Sequence, residues 1–320
     1  GKNMHPAFSV IFFTVTSGAG YGLIALLCLL NFLYFGMLLD KSTFFICATV
    51  GSALFTMGLI SSTFHLANPK NAWRAFMRFR TSWLAREGIL AILFYPILFL
   101  YLFLVYIDFQ IENFMFMQAY SFFIFLMSVL IIHCTGMIYA CLKTIPQWNT
   151  FWTPINYITI GISLGSLILF FILDFNNYNV DPYKYYLLAA IAFSFFTKIS
   201  YYISIRGSRH NIGQATNAAI KLKSTNVRLL DVGHTGGTFL TDEFGYKVAE
   251  KKLFRVKTFS IISGFLAPFT LIYIHSFVFE SMLLCILAIS LAFFGMVAER
   301  WLFFAQAKHV VNLYHGSQNV

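Results

Sequence analysis

Eight long apolar runs constrain this chain more than any other feature. They fall at roughly 8–38, 43–66, 87–107, 113–142, 153–174, 184–205, 258–278 and 280–304. An α-helix rises about 1.5 Å per residue, so about 20 mostly apolar residues cross the hydrocarbon of a bilayer. Each run meets that length. Hydrophobic residues make up 59% of the 320 and charged residues only 11%, with 39 Phe. A water-soluble core of this size cannot bury so much apolar surface, so lipid is the solvent for much of the chain. The predicted fold class is an all-α integral membrane protein, a single domain over 1–320 with eight transmembrane helices. The polar segment 206–257, before helix 7, is expected to be a structured cytoplasmic loop.

Eight spans place both termini on one side. Nineteen of the 22 Lys and Arg residues then fall on that side, among them Lys70, Arg74, Arg78, Arg80 and Arg86. The opposite loops carry Lys41 and Lys184 with Asp40, Asp108, Glu112, Asp174, Asp181 and Glu280. The positive-inside rule therefore puts the termini and the basic loops in the cytoplasm. A miscounted helix would scramble that asymmetry. The opening GKNMHP is too weakly charged for a signal n-region, so the first run is read as a retained span.

Gly18 and Gly22, and Gly161 and Gly165, are small residues four apart, the spacing that lets helix backbones approach closely. The five cysteines lie in apolar runs without CxxC spacing and are expected to be buried thiols rather than cluster or metal ligands. Trp148, Trp152, Tyr183, Tyr185 and Tyr186 sit where interfacial aromatic belts form. In 206–257, GHTGG lacks the Lys-Ser/Thr of a phosphate loop, and Thr241–Asp242 reads as the start of a short helix, so a cap or docking surface is expected.

Ionisable groups in hydrocarbon are costly and mark function by default. They are His65, Glu87, His133, Lys198, His275, Glu299 and Arg300. Lys198 is expected to snorkel toward the cytoplasmic edge. A haem clamped between His65, His133 and His275 is one alternative, although their expected depths disagree. An ion or small-solute transporter is another, without a visible inverted repeat. A quinone site fits better. Quinol oxidation releases two electrons and two protons, which calls for a ring partner that both donates and accepts and for a carboxylate that takes a proton. His65 closes one run and Glu87 opens the next, at one depth, on the basic side.

Several blocks carry a resemblance: HPAFSVIFFT and SGAGYG (5–22), FHLANPKNAWRAFMRFRTSWLAREG (64–88), CTGMIYACLKTIPQWNT (134–150), RLLDVGHTGGTFLTDEFGYKVA (228–249) and ERWLFFAQAKHVVNLYHG (299–316). In order and nearly end to end, the chain resembles the dimethyl sulfoxide reductase anchor-subunit family, and most of all its cytoplasm-facing sulfite dehydrogenase branch. The resemblance implies a haem-free, eight-helix anchor in the bacterial inner membrane, serving sulfur or other anaerobic respiration. It implies exchange of electrons with menaquinone or ubiquinone. It also implies two partners, a four-cluster iron–sulfur subunit and a molybdopterin catalytic subunit, and no nucleic acid. The family's quinone histidine, in H-L-G-x-P, falls on His65, and the acid of its S-W-L-x-R-E segment on Glu87. Ala67 stands here in place of the Gly, so that turn departs from the pattern. Arg74, Arg78, Arg80 and Arg86 would hold the loop to lipid phosphate and dock the iron–sulfur partner.

Overall fold

The computed structural model describes residues 8–34, 39–63, 73–74, 77–206 and 250–307. Among them, eight helices are long and apolar enough to cross a membrane. They are α1 (Phe8–Leu33), α2 (Lys41–Thr63), α3 (Trp83–Tyr106), α4 (Phe114–Ala140), α5 (Trp152–Phe175), α6 (Asp181–Arg206), α7 (Lys252–Phe277) and α8 (Met282–Ala305). No strand occurs among the described residues. His65, most of the loop expected at 206–257, and its GHTGG and Thr241–Asp242 segments lie outside the described residues.

The most enclosed helix is α1, with 83% of its spanning window buried against 28% for α3. It packs on α2, α4, α5 and α8. Its sequence explains the position. A Cβ added at Gly22 would lie 2.1 Å from the Gly161 carbonyl oxygen, and one at Gly165 would lie 2.4 Å from Gly22 C. The two small-residue pairs therefore meet each other, and α1 and α5 touch backbone to backbone, as their spacing predicts. By contrast α3 turns Leu93, Phe99 and Phe103 outward, where lipid is as good a solvent as protein. The backbones of α2 and α3 stay apart. Large side chains bridge them, as where Thr56 Oγ1 meets Tyr95 Oη at 2.8 Å.

A π turn interrupts α7 at Ile262–Leu266. Pro268 has no N–H, and its ring opposes the carbonyl of Gly264, so the ladder skips a residue there. The widened turn brings Gly264 against Gly295 of α8, where an added Cβ on Gly295 would lie 2.2 Å from Gly264 N. Ser263 Oγ donates to the Leu291 carbonyl at 2.7 Å.

Three sequence expectations are corrected. Cys141 is exposed at the end of α4, while the other four thiols are buried. Trp148 is 4% exposed, donates from Nε1 to the Phe303 carbonyl at 3.0 Å and stacks on that ring. It is a core residue, whereas Tyr185 and Tyr186 are exposed as a belt requires. Lys198 does not snorkel. It is 2% exposed because α8 supplies a buried carboxylate within its reach.

Candidate functional site

Local chemistry fixes the start of α3, four residues earlier than the hydropathy edge. Ser82 has extended backbone and its Oγ accepts from Ala85 N at 3.4 Å, which caps the helix. Arg86 closes the preceding turn, donating from Nε to the Phe79 carbonyl at 2.9 Å and from a terminal nitrogen to the Arg80 carbonyl at 2.7 Å. Its guanidinium also lies 4.3 Å from the centroid of the Trp83 ring. Glu87 is therefore in the second turn of α3, on the inward face it shares with Ala85, Ala91 and Phe94.

Glu87 is 5% exposed. Its Oε1 takes the hydroxyl of Thr135 of α4 at 2.5 Å, and Thr135 Oγ1 also lies 3.1 Å from the Ile131 carbonyl. The pair of distances has a chemical meaning. An ionised carboxylate accepts from the hydroxyl. A protonated one donates to Thr135 Oγ1, and the hydroxyl hydrogen turns to Ile131. Either form of Glu87 thus keeps a hydrogen bond. Beside Thr135, an added Cβ on Gly136 would lie 2.6 Å from Pro154 Cα, so α4 and α5 are in contact at this level. Tyr21, Tyr139 and Tyr157 lie within electrostatic reach of the carboxylate. The His133 ring meets Trp83 edge-on at 6.0 Å.

A second ionic group lies at the same end. Lys198 Nζ pairs with Glu299 Oε1, and Arg300 Nε lies 2.9 Å from Glu299 Oε2. None of the three is more than 2% exposed. Aromatic faces cover the cations: Lys198 lies 4.2 Å from the Tyr201 centroid and Arg300 3.8 Å from that of Tyr157. The Tyr157 ring also packs on Tyr139 and Phe303.

The expected docking arginines divide. Arg74, Arg78 and Arg80 are exposed among exposed Trp73, Met77 and Phe79, while Arg86 is half-buried and holds the turn. The Thr135 partner and the Lys198–Glu299 pair were not foreseen. The one sequence signal for the pair was opposite charges at similar depth on two spans.

The chain matches the family model "DMSO reductase anchor subunit" over residues 2–306. It belongs to the DMSO reductase anchor subunit family. The anchor is also 30% identical to the sulfite dehydrogenase C-subunit of Allochromatium vinosum over 330 residues, covering 98% of this chain and 99% of that one. No solved structure matches it. The family and the eight apolar helices make this chain a membrane-integral anchor of an oxidoreductase complex.

Proposed function

We propose that the anchor binds quinone or quinol at its basic end and exchanges electrons with an iron–sulfur subunit docked there. Glu87 handles a proton and His65 contacts the head group. The observation that carries this reading is a buried carboxyl, one turn inside the basic edge, whose hydrogen bond to Thr135 serves both protonation states. A bound quinol supplies two electrons and two protons. Glu87 takes one of those protons at its carboxyl oxygen and His65 takes the other, and Thr135 turns its hydroxyl between Glu87 and Ile131 as the charge changes. The apolar faces of α3 and α4 keep bulk water away. Electrons leave through the partner's clusters, beyond the exposed Arg74, Arg78 and Arg80, whose fixed positive charge suits an acidic docking surface.

The likeness to the Allochromatium sulfite dehydrogenase protein supports a sulfite dehydrogenase setting. The proposed complex is completed by a molybdopterin catalytic subunit held through the iron–sulfur subunit. The positive-inside rule puts the basic end in the cytoplasm of a bacterial inner membrane.

Two experiments test this. In membranes carrying the whole complex, Glu87→Gln and His65→Ala should each lower quinol-dependent turnover by about 10²–10⁴, the usual scale for losing an acid–base group. Dye-linked activity of the catalytic subunit should persist. Full quinol turnover in both variants would overturn the site. Reversing charge with Arg78→Glu and Arg80→Glu should release the partner subunits to the soluble fraction, and complete retention would remove docking from these residues.

A further inference from the structure

At the acidic end, opposite Glu87, three helices bring Asp174 of α5, His275 of α7 and Cys285 of α8 together. One carboxylate oxygen, one ring nitrogen and the sulfur all lie within 4.8 Å of one another. We propose that these residues form a binding site for a zinc-class divalent transition metal, stapling α5, α7 and α8 beneath the acidic surface.

Ser281 offers His275 Nδ1 both a donor and an acceptor, so it serves either tautomer. That Nδ1 lies 3.1 Å from the Ser281 carbonyl oxygen and 3.0 Å from the Ser281 N–H. With the proton on Nδ1, Ser281 accepts it, as the other ring nitrogen of a metal-bound histidine commonly requires. The Nε2 lone pair then faces Asp174 Oδ2 at 3.2 Å. Two acceptors at that distance need a cation between them. A proton on Nε2 meets the need in the ion-free state, and a metal ion meets it equally. The edge of Phe170 holds the ring from the side, 5.8 Å between centroids.

The third ligand carries the assignment. Cys285 is 1% exposed and its Sγ makes no hydrogen bond among the described residues. The neutral thiol makes no hydrogen bond to the imidazole–carboxylate pair beside it among the described residues, but as a thiolate it completes an N, O, S set. Such a set selects zinc-class ions over magnesium or calcium. Tetrahedral zinc with bonds of about 2.0–2.3 Å spaces its ligand atoms by about 3.3–3.8 Å. The nitrogen and oxygen, 3.2 Å apart, already stand close to that spacing, and the sulfur lies within 4.8 Å of both.

The charges close as well. One divalent ion, one carboxylate, one thiolate and a neutral imidazole sum to zero, which suits a site at the bilayer edge. Binding releases the thiol proton, and the imidazole proton moves from Nε2 to Nδ1. Asp174 keeps 17% of its side chain open, which gives the ion an entry path, and exposed Glu280 lies near enough to feel that carboxylate. Water would take the fourth position, which keeps that sum at zero.

The test uses the detergent-purified complex, stripped with a chelator and titrated with Zn²⁺ or Co²⁺. The expected result is one tightly bound ion per anchor chain. Cys285→Ala and His275→Gln should each weaken binding at least about 10-fold, while Cys134→Ala leaves it unchanged. The Co²⁺ form of the unmutated complex should show a thiolate-to-metal absorption band that Cys285→Ala lacks. Cys285→Ala is small and apolar, and the cobalt spectrum needs no variant, so misfolding cannot mask the outcome. No sulfur band in the cobalt form, or equal metal content in the unmutated complex and both variants, would overturn the proposal.

Discussion

Glu87 and Glu299 sit at the same end of the bundle, within about two turns of the basic edge, and are 5% and 0% exposed. Their surroundings are opposite. Glu299 is held between Lys198 and Arg300, with an aromatic ring over each cation. Glu87 has one hydroxyl, and its second oxygen has no partner among the described residues. A carboxylate between two cations is committed to its charge, because protonation would strand two positive groups in a medium that cannot solvate them. A carboxyl held by a hydroxyl with somewhere else to turn is committed to neither state. Burial alone therefore does not identify a proton-handling acid. The number and charge of its partners do.

The largest effect should come from breaking the committed group. Glu299→Ala leaves Lys198 and Arg300 buried without a counter-charge, and losing one side of a buried pair costs about 3–5 kcal/mol. Thermal unfolding of the detergent-solubilised anchor should show it. Replacing the whole triad with Lys198→Met, Glu299→Leu and Arg300→Met should recover much of the loss, since apolar replacements of buried ionic groups are often near neutral. No recovery would show that the ionic triad is itself a net source of stability.

Thr135→Val sharpens the other side of the contrast. It removes the one side-chain hydrogen bond on Glu87 among the described residues and should cost about 1.5–3 kcal/mol of stability where Glu87 is ionised. Quinol turnover should fall by less than in Glu87→Gln, and Thr135→Ser should restore it. If Thr135→Val leaves both melting and turnover untouched, the hydroxyl has no part in the site.

The smallest effect lies at the acidic end, outside the spans. The Tyr178 hydroxyl, and then Thr43, hydrogen-bond the exposed Asp40 carboxylate and bring its pKa down from 3.8 to about 2. A lowered carboxylate pKa stabilises the folded state above the ordinary value, and that stabilisation is lost as pH falls through the folded value. Tyr178→Phe should therefore open a small melting gap at neutral pH that closes between about pH 4 and pH 2. A gap that persists at pH 2 would attribute the effect to packing.

The architecture was legible because lipid makes a blunt demand: twenty apolar residues or no span. The apolar runs counted the helices, and the glycine spacings foretold the α1–α5 contact. The site was legible only by residue type. Glu87 could be named, but its setting depended on Ser82 and Arg86 starting α3 a turn earlier than hydropathy placed it. Its partner lies 48 residues away on another helix. The misread Lys198 has the same cause, since its carboxylate is 101 residues distant and periodicity along one helix says nothing of another. The Asp174–His275–Cys285 cluster spans three helices and has no spacing a motif could express.

The enclosure of α1 bears on how the chain is made. Gly161 and Gly165 leave the ribosome about 140 residues after Gly22, which at 5–20 residues per second is roughly 7–28 s. For that interval the α5-facing flank of α1 waits in the bilayer; α1 carries the hydroxyls of Thr14, Thr16 and Ser17, the last two beside Gly58 of α2. Each of those hydroxyls donates to a carbonyl three or four residues earlier in α1 itself, at 2.6–3.0 Å. The helix that ends up most deeply enclosed thus needs no neighbour to satisfy these hydroxyls, and it can stand in lipid until α5 arrives.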